Sequence, residues 1–202
     1  MLFSLLLLGL IAVVVLWVIG LYNGLVGLRN QVANAWKQID VQLKRRHDLI
    51  PNLVNTVRGM MKFEQDTLER VMQARAKAVS AVGVNAKGQA EGELTQTLGR
   101  LFAVMEAYPD FKSNQNAIQL QEELASTENK ISFARQFYND LVMRFNTAQQ
   151  SFPANMFAAS MGFKPAEFLE ITEADRAVPT VDLSTAAPVA PAATVPPAAP
   201  VA

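Results

Sequence analysis

The amino-acid sequence predicts an all-α protein: an N-terminal transmembrane helix followed by an antiparallel four-helix bundle with long helices. Three observations carry that expectation. Residues 2–22 contain no ionisable side chain except the Tyr22 phenol. Two later stretches space their apolar residues by alternating steps of three and four, which lines one stripe of a helix. Proline and glycine punctuate the chain between those patterns, at Gly83–Ala90, Tyr108-Pro109 and Phe152-Pro153. The expected boundaries are 1–22 for the anchor, 23–163 for the bundle, 164–175 for an extension and 176–202 for a disordered Ala/Pro-rich tail.

The anchor reads LFSLLLLGLIAVVVLWVIGLY. About 20 helical residues at ~1.5 Å each span the ~30 Å hydrocarbon core of a bilayer. Trp17 and Tyr22 suit the interface at its C-terminal end. A cleaved signal peptide needs a basic start and a small-x-small cleavage site. No Lys or Arg precedes the run, and Trp17, Ile19, Leu21 and Tyr22 crowd its end. Arg29 and Lys37 follow the run, and basic residues stay on the cytoplasmic side. The expected topology is single-pass, with the N-terminus outside and the bundle cytoplasmic.

In the body, Leu25, Val32, Trp36, Ile39, Leu43, Ile50, Leu53, Val57 and Met60 form the first seam, with Arg29 and Arg46 filling two gaps. Trp36 is expected to be buried there. Pro51 removes a backbone donor, yet the heptad phase continues through it, which predicts one kinked helix. Around Gly59–Phe63 the phase slips, and Met61, Leu68, Met72, Val79 and Val82 are expected to carry the stripe onward past a bend. Gly83–Ala90 reads as a turn between helices. A shorter helix follows, with Leu94, Leu98, Leu101, Phe102 and Met105 on one face. Asn116 and Gln119 resemble an N-cap and its capping-box partner. The last helix holds Ala117, Leu120, Leu124, Thr127, Ile131, Ala134, Tyr138, Leu141, Phe145 and Ala148 in strict alternation. Phe133 and Phe137 are expected to widen that stripe. In the tail, six prolines among Ala, Val and Thr leave no periodic apolar face.

Little in the sequence suggests catalysis. There is no cysteine, which excludes disulfides, thiolate nucleophiles and Cys-ligated metals. Eighteen basic residues balance eighteen acidic ones, so there is no overall field to draw nucleic acid. The single histidine, His47, is read as solvated. Glu-x-x-His pairs and phosphate-binding glycine loops are missing. Glu122 and Glu123 lie about 100° apart on a helix and do not face each other. We expect no catalytic, cofactor-binding or metal site. A polar set flanks the last seam: Gln121, Glu128, Arg135, Asn139 and Asn146. Such groups either fix register in a bundle or line a partner groove, and the register role is preferred.

The segments RRHDLIPNLVNTVRG (Arg45–Gly59), EQDTLERVMQARAKA (Glu64–Ala78) and Ala107–Phe163 resemble the LemA family. That resemblance covers about Tyr22 to Phe163. It implies a membrane-anchored bacterial four-helix bundle without established enzymatic activity. Relatives that belong to magnetosome membranes imply a role in organising membrane assemblies. The expected function is a non-enzymatic, membrane-anchored interaction or scaffold protein; the alternative is an accessory subunit of a membrane enzyme or quality-control complex. Expected partners are membrane lipid through residues 2–22, other membrane-associated proteins and a second copy of the chain, but not nucleic acid.

Overall fold

The computed structural model describes residues 2–59, 64–108, 111 and 114–170. Within them the chain forms four α-helices: α1 (Leu2–Arg58), α2 (Gln65–Ser80), α3 (Val84–Glu106) and α4 (Gln115–Gln150). A 3-10 turn at Ala154–Met156 follows, and then extended chain from residue 163 to 170.

α1 is a single helix of 57 residues, about 85 Å long at ~1.5 Å per residue. Its first part is long and apolar enough to cross a membrane, and none of the most apolar stretch is buried within the protein. Burial begins at Leu25 and recurs at Val32, Ala35, Ile39, Leu43, Ile50, Leu53 and Val57. The heptad seam therefore sits where the spacing places it, with one shift. Ala35 is the buried neighbour, whereas Trp36 is only half-buried at the edge of the core, against Tyr138 at 5.5 Å between ring centroids.

Contacts between helices fix their directions. Arg46 meets Glu128 and Trp36 meets Tyr138, so α4 runs antiparallel to α1. His47 meets Arg75, and α2 lies antiparallel to the far end of α1. Lys87 reaches Asp40 and the Trp36 ring, while Glu91 reaches Arg46, so α3 runs parallel to α1. The result is an up-down-up-down bundle.

Several boundaries differ from the sequence expectation. α1 ends at Arg58 and the chain folds back as α2, so the phase slip near Gly59 is a helix break rather than a bend. Met60, Met61 and the rest of 60–63 lie outside the described residues. The buried stripe of α2 is Leu68, Val71, Ala74 and Ala78, with Val79 and Val82 exposed. The turn into α3 is shorter than expected. Gly83 makes it at φ +91°, a conformation that glycine adopts without steric cost, and helix resumes at Val84. Asn114, rather than Asn116, caps α4 by accepting from the Ala117 amide at 3.2 Å. Phe133 and Phe137 do not widen the buried stripe; they stand exposed, and Val142 is buried instead. Pro109 and Asp110 lie outside the described residues, as does the tail.

The core has two parts. Away from the apolar N-terminal stretch, Ile50, Leu53, Val57, Leu68, Val71, Leu94, Leu101 and Leu124 pack where all four helices meet. Nearer the apolar N-terminal stretch, Leu25, Val32, Ile39, Ile131, Tyr138, Leu141 and Phe145 pack between α1 and α4, covered by Ala158, Phe163 and Leu169, with Val84 of α3 at the edge. The extended segment 163–170 thus takes the place that the α2–α3 hairpin holds farther out.

Candidate functional site

A layer of charged side chains separates the two halves of the core. On α1 it lies between Leu43 and Ile50, and on α4 between Leu124 and Ile131, each of which belongs to one apolar cluster or the other. Its centre is Arg46, only 1% exposed. Burying a guanidinium is tolerable only if its donors find acceptors. Nη1 donates to Thr95 Oγ1 at 3.0 Å and to Glu128 Oε2. Nη2 donates to the Glu91 carbonyl at 3.1 Å and to Glu91 Oε2 at 2.6 Å. Nε is buried without a partner. The second Glu91 oxygen lies 2.8 Å from His47 Nε2.

His47 is therefore not a solvated residue. It is 7% exposed and held by a carboxylate from α3. A histidine flanked by Arg45, Arg46 and Asp48 looks surface-like in sequence, but the position beside Arg46 turns inward where α3 crosses. The His47 carbonyl is tied as well. In a regular helix it would accept from the amide four residues on, which here is Pro51 and has no N–H. Arg75 Nε donates to that carbonyl at 2.7 Å. The proline thus leaves an acceptor free, and α2 docks on it with a charged donor.

The structure distributes the sequence-derived polar set among different tasks. Glu128 joins the Arg46 layer. Asn139 and Asn146 instead grip the extended segment, each through both halves of its amide. Asn146 Nδ2 donates to the Ala166 carbonyl at 2.9 Å and its Oδ1 accepts from the Ala166 amide at 2.8 Å. Asn139 does the same with Leu169, at 3.1 and 2.9 Å. Seven helical residues advance about 10.5 Å and three extended residues about 10 Å, so the two asparagines match the strap's repeat as it runs antiparallel to α4. The Tyr138 hydroxyl adds a bond to the Glu167 carbonyl at 2.9 Å. Burial, and secondarily the Glu167 carboxylate, push the Tyr138 hydroxyl above its ordinary pKa. Arg135 is half-buried, with Nε lacking a partner. Gln121 is half-buried and belongs to neither group.

Sequence reasoning missed Glu91, Thr95 and Arg75. None of them departs from an ordinary solvated helix face. One signal was available: Arg46 occupies a seam position, and a cation there needs acids from facing helices. Among the described residues, no group of three or more acidic or imidazole side chains is placed to hold a metal ion.

Comparison with known proteins gives a consistent family. The LemA family model matches residues 35–183. Protein LemA of Metamycoplasma hominis is 26% identical over 169 residues, covering 83% of this chain and 75% of that protein. Magnetosome protein MamQ 2 of Paramagnetospirillum magneticum is 25% identical over 175 residues, covering 74% of this chain and 64% of its own length. Magnetosome protein MamQ of Magnetospirillum gryphiswaldense is 23% identical over 173 residues, with 73% and 64% covered. This chain therefore spans somewhat less than two thirds of the magnetosome relatives it matches.

Proposed function

This chain belongs to the LemA family, and from that membership we propose a non-enzymatic, membrane-anchored scaffold that presents a helical wall to other membrane-associated proteins or to a second copy of itself. The observation that carries this reading is an apolar patch on the wall of α1 and α4. Phe133 is 71% exposed, Phe137 51% and Val41 63%, and together with Gln38, Gln42, Lys130 and Ala134 they line one shallow groove. Exposed aromatics grouped in this way mark interaction surfaces. They lie on the bundle, well beyond the apolar stretch suited to lipid. The magnetosome relatives add membrane assemblies as the setting. The chemistry of the buried layer fits the same reading, because Arg46, Glu91, Glu128 and His47 engage one another.

In this proposal α1 crosses a bacterial inner membrane once, with the N-terminus outside and the bundle in the cytoplasm, as the placement of Arg29 and Lys37 favours. A photo-crosslinking side chain at Phe133, activated in intact membranes and followed by mass spectrometry, should return one reproducible protein partner or a self-contact. A yield spread over abundant membrane neighbours, no different from a probe at exposed Ala125, overturns the scaffold reading. Reporters fused after Ala202 test the topology. A signal from the reporter active only outside the cytoplasm reverses it.

A further inference from the structure

The anchor end of the bundle carries a second apolar surface, made by residues 152–163. α4 ends at Gln150, and the chain then caps the bundle beside the start of its core. Phe163 packs on Tyr22 at 5.6 Å and on Phe145 at 6.3 Å between centroids, and the Arg29 guanidinium lies 5.5 Å over its ring. Leu21 and Met161 pack against the same cluster. Trp36 faces Tyr138, so counting equally down antiparallel α1 and α4 brings Gln150, the last residue of α4, level with Gly24, and Phe152 follows two residues beyond. Yet Phe152 is 80% exposed and Met156 67% exposed. These exposed apolar side chains belong to the segment that seats Phe163 against Tyr22, where the apolar stretch of α1 ends.

Charge placement gives the occupant. From Arg144 to Lys164 no ionisable side chain intervenes, and none occurs before Arg29 except Tyr22. Three segments leave this end of the bundle: α1 upward, α4 backward from Gln150, and the strap forward from Phe163. On each of them the first charged residue is a cation, Arg29, Arg144 and Lys164 respectively, and all three are exposed. The first acids come later, at Asp40, Asp140 and Glu167. Arg29 stands seven residues beyond Tyr22, about 10 Å at ~1.5 Å per residue. The headgroup layer beyond each side of the hydrocarbon is about 5–8 Å deep, so the Arg29 backbone stands just outside it, while its guanidinium, over the Phe163 ring that packs on Tyr22, reaches back toward it. An apolar tip below a collar of cations is the arrangement of a segment seated in an anionic bilayer interface.

We propose that residues 152–163 form a second membrane contact, in which Phe152 and Met156 enter the acyl boundary and Arg29, Arg144 and Lys164 meet lipid phosphates. This rests on the reading of residues 2–22 as a membrane span. The two contacts together fix the bundle's height and rotation about α1, so that the wall bearing Phe133 faces a set direction along the membrane.

The chain has no cysteine, so single labels report without background. Full-length Phe152→Cys, Met156→Cys, Ala12→Cys and Asp140→Cys are each spin-labelled and reconstituted in vesicles of phosphatidylcholine and phosphatidylglycerol. Collision with oxygen, which concentrates in lipid, is compared with collision with a water-soluble nickel chelate. The expected result is that labels at 152 and 156 follow Ala12: several-fold richer in oxygen than in nickel contact relative to Asp140. If they follow Asp140 while Ala12 reports lipid, the span stands and the second contact is overturned. If Ala12 also reports water, the span fails and the second contact with it. Labels at 152 and 156 shielded from both reagents indicate burial against protein, which overturns a lipid occupant.

Discussion

Replacing Arg46 by Met keeps most of the side chain's apolar stem and removes the guanidinium. Four acceptors lose a donor: Thr95 Oγ1, the Glu91 carbonyl, Glu91 Oε2 and Glu128 Oε2. These bonds do not count equally. The Glu128 side chain is 37% exposed and can rehydrate, so its share is that of a surface pair, about 0–1 kcal/mol. The Glu91 carboxylate, on a side chain 10% exposed, keeps only His47 as a partner. Removing one member of a buried ion pair costs about 3–5 kcal/mol, a large part of the ~5–15 kcal/mol that holds a domain. The Arg46→Met protein should lose about 3–5 kcal/mol, measured by urea unfolding of the full chain in nonionic micelles followed by circular dichroism. The variant Arg46→Met/Glu91→Leu/Glu128→Leu removes the orphaned acids too and should recover most of that loss, since apolar replacements of buried ion groups are neutral or stabilising. Its cost should appear as loss of uniqueness. With the layer gone, no charge pair ties seam Leu25–Val57 to seam Ala117–Phe145, and α1 can slide one heptad, about 10 Å, against α4. Crosslinks between Trp36→Cys and Tyr138→Cys would then become heterogeneous. An Arg46→Met loss below about 1 kcal/mol, the size of an exposed pair, would show that water reaches the layer and that it does not fix register.

Other expectations follow from the same geometry. Asn139→Leu and Asn146→Leu each remove two bonds to the strap and should cost about 1–3 kcal/mol. Hydrogen exchange at the Ala166 and Leu169 amides should accelerate, while exchange in the outer core around Leu94 stays slow. Arg75→Met strands the His47 carbonyl and should cost about 1–3 kcal/mol. In a Pro51→Ala background the helix supplies its own donor, so that cost should shrink, and equal losses in both backgrounds would refute the link between Arg75 and Pro51. Tyr138 has a folded-state pKa raised above its ordinary 10.0, so the native state holds this proton more tightly than the unfolded chain does. Its stabilising contribution is complete below about pH 10 and is lost as pH rises through the folded value. Tyr138→Phe should flatten that alkaline decline in urea midpoints, and an unchanged slope would place the decline elsewhere.

The helices, the long apolar N-terminal stretch and most buried seam positions were legible because apolar patterning is a local property. Leu25 to Val57 and Ala117 to Phe145 declare a stripe whatever they meet. Helix breaks were less legible. The fold-back after Arg58 and a bend produce the same phase slip, and only the pairing of α2 with α3 distinguishes them. Gly88 looked like part of a turn, but it lies inside α3. A Cβ there would come within 3.0 Å of Leu169 Cδ1, so its small size serves a contact 81 residues away in sequence. The polar set shows the same division. Glu128, Asn139 and Asn146 were visible as polar groups beside a seam, but their tasks were not, because the acceptors are supplied by other segments. Asn139 and Asn146 bond to backbone, which leaves no trace in side-chain identity. His47 and Glu91 carry charge-forming groups that are surface-like wherever they are unpaired, and their burial follows only from the crossing of α1, α3 and α4 at Arg46. Periodicity fixes which face of each helix is buried; which face it meets, and hence where a buried charge finds its counter-charge, is decided by assembly.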